Sequence, residues 1–234
     1  MATASPARQA TAETPYEKHA HALCEVGREF HHRGWSLATS SNYSVVLERE
    51  PLELLVTASG KHKNRLSVQD FVRVDSSGQP IDFSAPKSSA ETLLHVAIAA
   101  GRRVGAILHT HSVWSTVLSE RFFARGGVEL TGFEMLKGLD GVGSHEHNEW
   151  LPIFDNTQDI AVLADKISSL LADADGPIQH GLLIRRHGLY TWGDNLEDAR
   201  RHVETIEFLL ECLGRQLTLE AVLRPFNDHI TELV

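Results

Sequence analysis

Two histidines one residue apart follow a short apolar run in residues 101–116, GRRVGAILHTHSVWST. In extended backbone alternate side chains share a face, so His109 and His111 aim two imidazoles at one point while Thr110 turns away. Neutral imidazole is a ligand for zinc and related metals. A strand end is also rigid enough to hold such ligands to catalytic tolerance. A second apolar run, residues 181–185, ends in Arg186-His187-Gly188. His109, His111 and His187 then supply three protein ligands and leave one coordination position open, the pattern of a catalytic rather than a structural zinc site. For this to hold, the two strands must come together in the fold. A further His-x-His, His145 and His147, lies in the polar, glycine-containing stretch 141–149 and follows no apolar strand. Nothing local fixes its geometry, and a surface loop is the better reading.

Two other stretches suit an anion. Residues 59–65, SGKHKNR, put Gly60 beside Lys61 in a loop that can present backbone N–H groups and positive charge to a phosphate, although a solvated basic turn reads equally well. Residues 87–89, KSS, precede a helix expected over 90–100, whose free N–H groups and dipole also favour an anion. Glu91 and His95 fall one helical turn apart. They make either a local polar contact or a place beside the metal.

The elements that must position these groups follow from periodicity. Thr14-Pro15-Tyr16-Glu17 reads as a capping box with proline in the first turn, and Leu23, Val26 and Phe30 recur at helical spacing up to a stop at Gly34. Strands are expected at 43–47 and 52–57, paired as a hairpin, and at 71–74. Ser112 caps a short helix to about residue 118. A strand at 128–131 leads to a helical segment carrying Glu134. A further strand, 150–154, is expected to be interrupted by Pro152. Thr157 caps a helix to about 172 with Ile160, Leu163, Ile167 and Leu171 inward, and Asn195 caps a long helix to about 217. Residues 1–14 read as a flexible tail and 15–234 as a single domain.

Composition narrows the function. The net charge of −9 argues against non-specific nucleic-acid binding. No apolar run has the length of a membrane span, and the N-terminus has no hydrophobic segment of a secretory signal. Cys24 and Cys212 form no short-spaced pair and imply no disulfide, which fits a reducing cytoplasm.

The segments ATSSNYSVVL, TASGKHKNRLS, KSSAETLLH, GAILHTHSVWS, FEMLKG and LLIRRHGLYTWGDNLEDA resemble the class II aldolase/adducin family over about residues 34–200. The resemblance implies an α/β fold of three layers, α/β/α, with a largely antiparallel central sheet. It implies one Zn²⁺ per subunit on His109, His111 and His187, and phosphate contacts from Asn42, Ser59, Gly60, Ser88 and Ser89. It also implies a homotetramer with sites near subunit interfaces. The TSSN, SGKHK and FEMLKG wording points to the dehydratase branch, which acts on a phosphorylated ketose and uses the glutamate matching Glu134 as acid/base. In the family's aldolases the glutamate matching Glu91 has that role. Those aldolases also use a tyrosine near the C-terminus, whereas the last tyrosine here is Tyr190. An aldolase or epimerase is therefore the second expectation. A non-catalytic adducin-like interaction module is the third, and retention of all three histidines and both anion loops argues against it.

Overall fold

The structure, a computed structural model, describes residues 13–173 and 176–231. Apart from Glu13 and Thr14, the expected N-terminal tail lies outside them. One eight-stranded sheet runs through the molecule. Its strands are β1 (Asn42–Arg49), β2 (Leu52–Thr57), β3 (Phe71–Asp75), β4 (Ala106–Thr110), β5 (Gly127–Thr131), β6 (Asn148–Phe154), β7 (Gly181–Ile184) and β8 (Gly188–Gly193). Their spatial order is β3-β2-β1-β4-β8-β7-β6-β5. Every pairing is antiparallel except β6 with β7.

Helices cover both faces, which gives the three layers expected. On one face α2 (Thr92–Gly101) and α4 (Ile160–Leu171) pack Leu94, Ile98, Ile167 and Leu171 against Ile107, Leu182 and Trp192. On the other, α1 (Pro15–His32) sets Leu23 and Phe30 against Tyr43, Leu55 and Leu108. There too α3 (Val113–Arg121) and α5 (Leu196–Thr231) enclose Leu130, Leu151 and Leu189. Strands buried on both faces lose the polar alternation of a half-exposed sheet, and β4 and β8 are buried at every position.

The local signals hold where chemistry is local. Thr14 and Glu17 form the capping box of α1, and Ser112 caps α3 by accepting from the Ser115 N–H. Several boundaries differ from the sequence reading. Pro152 does not interrupt β6, because the parallel pairing with β7 begins only at Ile153 and no N–H is required of residue 152 on that side. The cap of α4 is Asp159, whose carboxylate accepts from the Val162 N–H, while the Thr157 hydroxyl accepts one turn earlier from the Asp159 N–H. The helix expected to end near 217 continues to Thr231, since Leu219, Glu220, Ala221 and Leu223 are good helix formers. Glu91 stands at the N-cap of α2 rather than inside it.

Helix α5 also reaches beneath the end of β4. The Thr110 hydroxyl, turned away from its two neighbouring histidines, donates to Glu207 Oε1 at 2.5 Å. Burial pushes the Glu207 carboxyl up to about 7, against the hydrogen bonds from Ser112 and Thr110 that favour its charge. A carboxyl raised on folding is penalised when ionised, so stability is complete below the unfolded value of 4.5 and declines as pH rises through about 7. Urea denaturation across this range will show that decline in the wild type and a flatter profile in Glu207→Gln, which keeps the hydrogen-bond acceptor without the charge.

Candidate metal centre

The pairing of β4 with β8 places His109 opposite Tyr190 and Thr110 opposite Leu189. Strand β8 is reached from β7 by a tight turn through His187, in which Arg186 has φ +52°. Helix α3, which begins just after His111, holds that turn. Thr116 Oγ1 donates to the His187 carbonyl at 3.0 Å, and the Arg186 N–H donates to Ser119 Oγ at 3.0 Å. Gly188 completes the fit, because a Cβ there would stand 1.9 Å from the Thr110 carbonyl oxygen and 3.2 Å from the His109 ring. Sequentially remote strands are thereby locked edge to edge with their histidines at one end.

The three imidazoles converge. His111 Nε2 lies 2.7 Å from His109 Nε2 and 3.1 Å from His187 Nε2, and His109 Nε2 lies 3.3 Å from His187 Nε2. His109 Nδ1 is 2.8 Å from the Leu189 carbonyl oxygen, which only accepts, so this nitrogen carries the ring proton and Nε2 presents a lone pair. Burial, together with the neighbouring His111 and His187, holds His109 well below the usual histidine range. Burial, then His187 and Lys63, brings His111 down to about 3. Both rings are therefore neutral at pH 7, the form that binds a metal. Ligands on one tetrahedral zinc stand about 3.4 Å apart, so the donor set fits a transition metal with little rearrangement.

Glu91 joins this cluster. Its Oε1 is 3.1 Å from His187 Nε2 and its Oε2 is 3.6 Å from His109 Nε2. A polar chain holds it there. Ser44 Oγ is 2.7 Å from His95 Nδ1, His95 Nε2 contacts Asn42 Oδ1, and Asn42 Nδ2 donates to Glu91 Oε2 at 2.6 Å. His95 is fully buried, and burial lowers it to about 3, so it remains a neutral hydrogen-bonding link. Beneath the centre the Tyr190 ring stacks on His109, with centroids 3.9 Å apart and an interplanar angle of 14°.

The centre opens into a cavity lined by Asn42, Ser59, Gly60, Lys63, Ser89 and Glu91 as well as His111 and His187. The two anion-compatible loops meet there, with the Ser59 N–H donating to the Lys87 carbonyl and Ala58 bridged to Ser88. Ser88 and Lys61 do not line this cavity. Lys61 is drawn off by Asp70 at 2.8 Å, and the cation that lines the cavity is Lys63. A 3₁₀ turn, Lys63–Arg65, buries Lys63, whose ammonium donates to the Lys61 carbonyl. Burial pushes its proton affinity down to about 8. Among three nearby cations in SGKHKNR, nothing in the sequence singled out the one that faces inward.

Glu134 lies elsewhere. It begins a 3₁₀ turn, Glu134–Gly138, after edge strand β5, with three strands between β5 and β4. Its side chain is 70% exposed and faces Lys137 and His145. Hydrogen bonding to Lys137, despite some desolvation, holds its carboxyl below the usual range. His145 stays exposed as expected of a surface loop. His147 does not, and packs with Glu149 and His180.

Residues 21–213 match the Class II Aldolase and Adducin N-terminal domain. The chain is similar to proteins named methylthioribulose-1-phosphate dehydratase. That of Marinobacter nauticus is 47% identical, across 85% of this chain and 94% of the relative. Those of Pseudomonas syringae pv. tomato (49%, 81% and 91%) and Azotobacter vinelandii (46%, 81% and 90%) match comparably. Among solved structures, L-fuculose-1-phosphate aldolase from Thermus thermophilus superposes with a TM-score of 0.67 at 21% identity, over 88% of this chain and 98% of the aldolase. A sugar-phosphate aldolase from Thermotoga maritima gives 0.60 at 19% identity, over 86% and 96%. At such identities these two establish the fold.

His111→Ala will lose affinity for a divalent metal at this centre, measured as the metal bound by the purified protein. Gly188→Ala, which drives a methyl group into the Thr110 carbonyl, will fold with reduced stability and weaken metal binding at least about tenfold, read by competition with a chromophoric chelator.

Proposed function

The chain belongs to the class II aldolase and adducin family, and from that premise we propose that it is a zinc-dependent methylthioribulose-1-phosphate dehydratase of methionine salvage. One conjunction carries this reading. Relatives bearing that name are 46–49% identical over most of both chains, and the convergence of His109, His111 and His187 supports a metal centre of the kind expected of such an enzyme. Residues 15–234 act as one catalytic domain. The unpaired Cys24 and Cys212 suit the reducing cytoplasm in which we place the enzyme.

The reaction is a β-elimination. A base takes the proton from the third carbon of the ketose phosphate, the fourth-carbon hydroxyl departs as water after protonation, and the enol tautomerises to a 2,3-diketone. His109, His111 and His187 would hold the ion, which when bound would supply Lewis-acid stabilisation to the negative charge that develops on the ketone oxygen. The protein's own groups do the rest. Ser59, Gly60 and Ser89, on loops brought together by the Ser59 to Lys87 hydrogen bond, suit the phosphate. Asn42 lines the same cavity, but its amide is committed to Glu91 and His95. Lys63 adds a desolvated ammonium to the wall, a stronger partner for an anion than the same charge in water. Glu91, fixed against His187, can take or return a proton at the reacting carbons.

Glu134 keeps its assigned acid/base role, but from a neighbouring copy. Its exposure on the edge of the sheet, away from its own subunit's cavity, suits a homotetramer in which each site borrows this carboxylate across an interface. An aldolase reading would rest the proton transfers on Glu91. The identity to named dehydratases favours the elimination.

Purified protein given methylthioribulose 1-phosphate will form the diketone, and given dihydroxyacetone phosphate with an aldehyde will form no carbon–carbon bond. Carbon–carbon bond formation without diketone would overturn the reading. Glu134→Gln will retain zinc and lose about 10²- to 10⁴-fold in turnover. Co-expression of Glu134→Gln with His111→Ala will restore activity on the order of a quarter of wild type if each site draws its glutamate from the adjacent subunit. No recovery would return Glu134 to its own chain's site.

A further inference from the structure

At the opposite end of β7 from His187, a second group of metal-ligating side chains converges. We propose that His147, Glu149 and His180 form a second divalent-metal site, structural in role and separate from the three-histidine centre. Four residues of strand separate His180 from the end of β7, about 13 Å of extended chain, so the two groups do not share an ion.

Three observations carry the assignment. First, ligand atoms from two chain segments meet. His147 comes from the 141–147 loop, Glu149 from the start of β6 and His180 from the residue before β7. Their ligand atoms lie within 4.8 Å of one another, and His147 Nε2 and His180 Nδ1 are each 2.9 Å from Glu149 Oε2. Second, the His180 tautomer is set from behind. Its Nε2 lies 2.8 Å from the Asp140 carbonyl oxygen, which only accepts, so Nε2 carries the proton. In the neutral ring Nδ1 is then a bare lone pair facing a carboxylate oxygen, two acceptors at hydrogen-bond distance. A cation between them resolves that contact. A metal-binding histidine that donates its other N–H to a backbone carbonyl has the usual outer arrangement of such sites. Third, Glu149 is 1% exposed and its Oε1 has no hydrogen-bond partner. Protons on His180 Nδ1 and His147 Nε2 would satisfy Oε2 but would leave the buried Oε1 unpaired. A metal ion uses all three residues and can engage both carboxylate oxygens.

Two imidazoles and one carboxylate suit zinc rather than magnesium or calcium. His147, with 35% of its side chain exposed, stands on the solvent side, where water completes the coordination. The ion would tie the 140–149 segment to the start of β7. That segment follows the turn bearing Glu134 and contains His145, one of the partners of Glu134, so the site would hold the loop that presents this carboxylate.

Metal-stripped protein titrated with Zn²⁺ tests the proposal. Wild type will take up two equivalents, and His147→Ala and Glu149→Gln one each. His109→Ala/His111→Ala, which disables the other centre, will still bind one. Cobalt(II) substitution of that double variant will give a tetrahedral visible spectrum that His147→Ala abolishes. Binding of a single equivalent by wild type, or unchanged stoichiometry in His147→Ala, overturns it. His147 is partly exposed, so its loss will leave the circular dichroism spectrum unaltered, and a metal deficit in that variant cannot be laid to misfolding.

Discussion

Three imidazole nitrogens held within 3.3 Å of one another, with His109 presenting a lone pair, form a donor set that one cation can join. Much of the fold serves to enforce it. The β4–β8 pairing aligns His109 with Tyr190, Gly188 allows the turn to press against the Thr110 carbonyl, and α3 grips the His187 backbone from the outside. Burial on both faces of the sheet desolvates His109 fully and His111 in part, and keeps both neutral. A site this preorganised spends no ligand binding on rearrangement.

Around that centre two carboxylates are treated in opposite ways. Glu91 is nearly buried, immobilised by the Ser44–His95–Asn42 chain and set against two of the histidines. Glu134 is exposed on a short turn beyond an edge strand. One belongs to its own subunit's cavity. The other faces solvent, and the proposal of a shared site rests on that contrast.

The fold was legible because its determinants are local or periodic. The capping box at Thr14 and Glu17, the Ser112 cap and the Leu163, Ile167 and Leu171 stripe each depend on residues within a few positions of one another, and each is realised. Pro152 was misleading for the converse reason. Whether a proline breaks a strand depends on which neighbour needs its N–H, and the register with β7 decides that. Lys63 and Lys61 were indistinguishable in sequence because a single 3₁₀ turn and a single aspartate, Asp70, sort one inward and the other outward.

The sequence by itself determined that His109 and His111 share a direction, because alternation along a strand is a property of the backbone, and it marked the loops at 59–65 and 87–89 as candidates for an anion. Only the tertiary structure decided that His187 closes on that pair, that Glu91 stands beside it while Glu134 does not, and that His147 leaves its surface loop to meet Glu149 and His180. These are distances between residues up to 96 positions apart. They are set by strand order and register, which come from packing the whole apolar pattern and not from any one stretch of it.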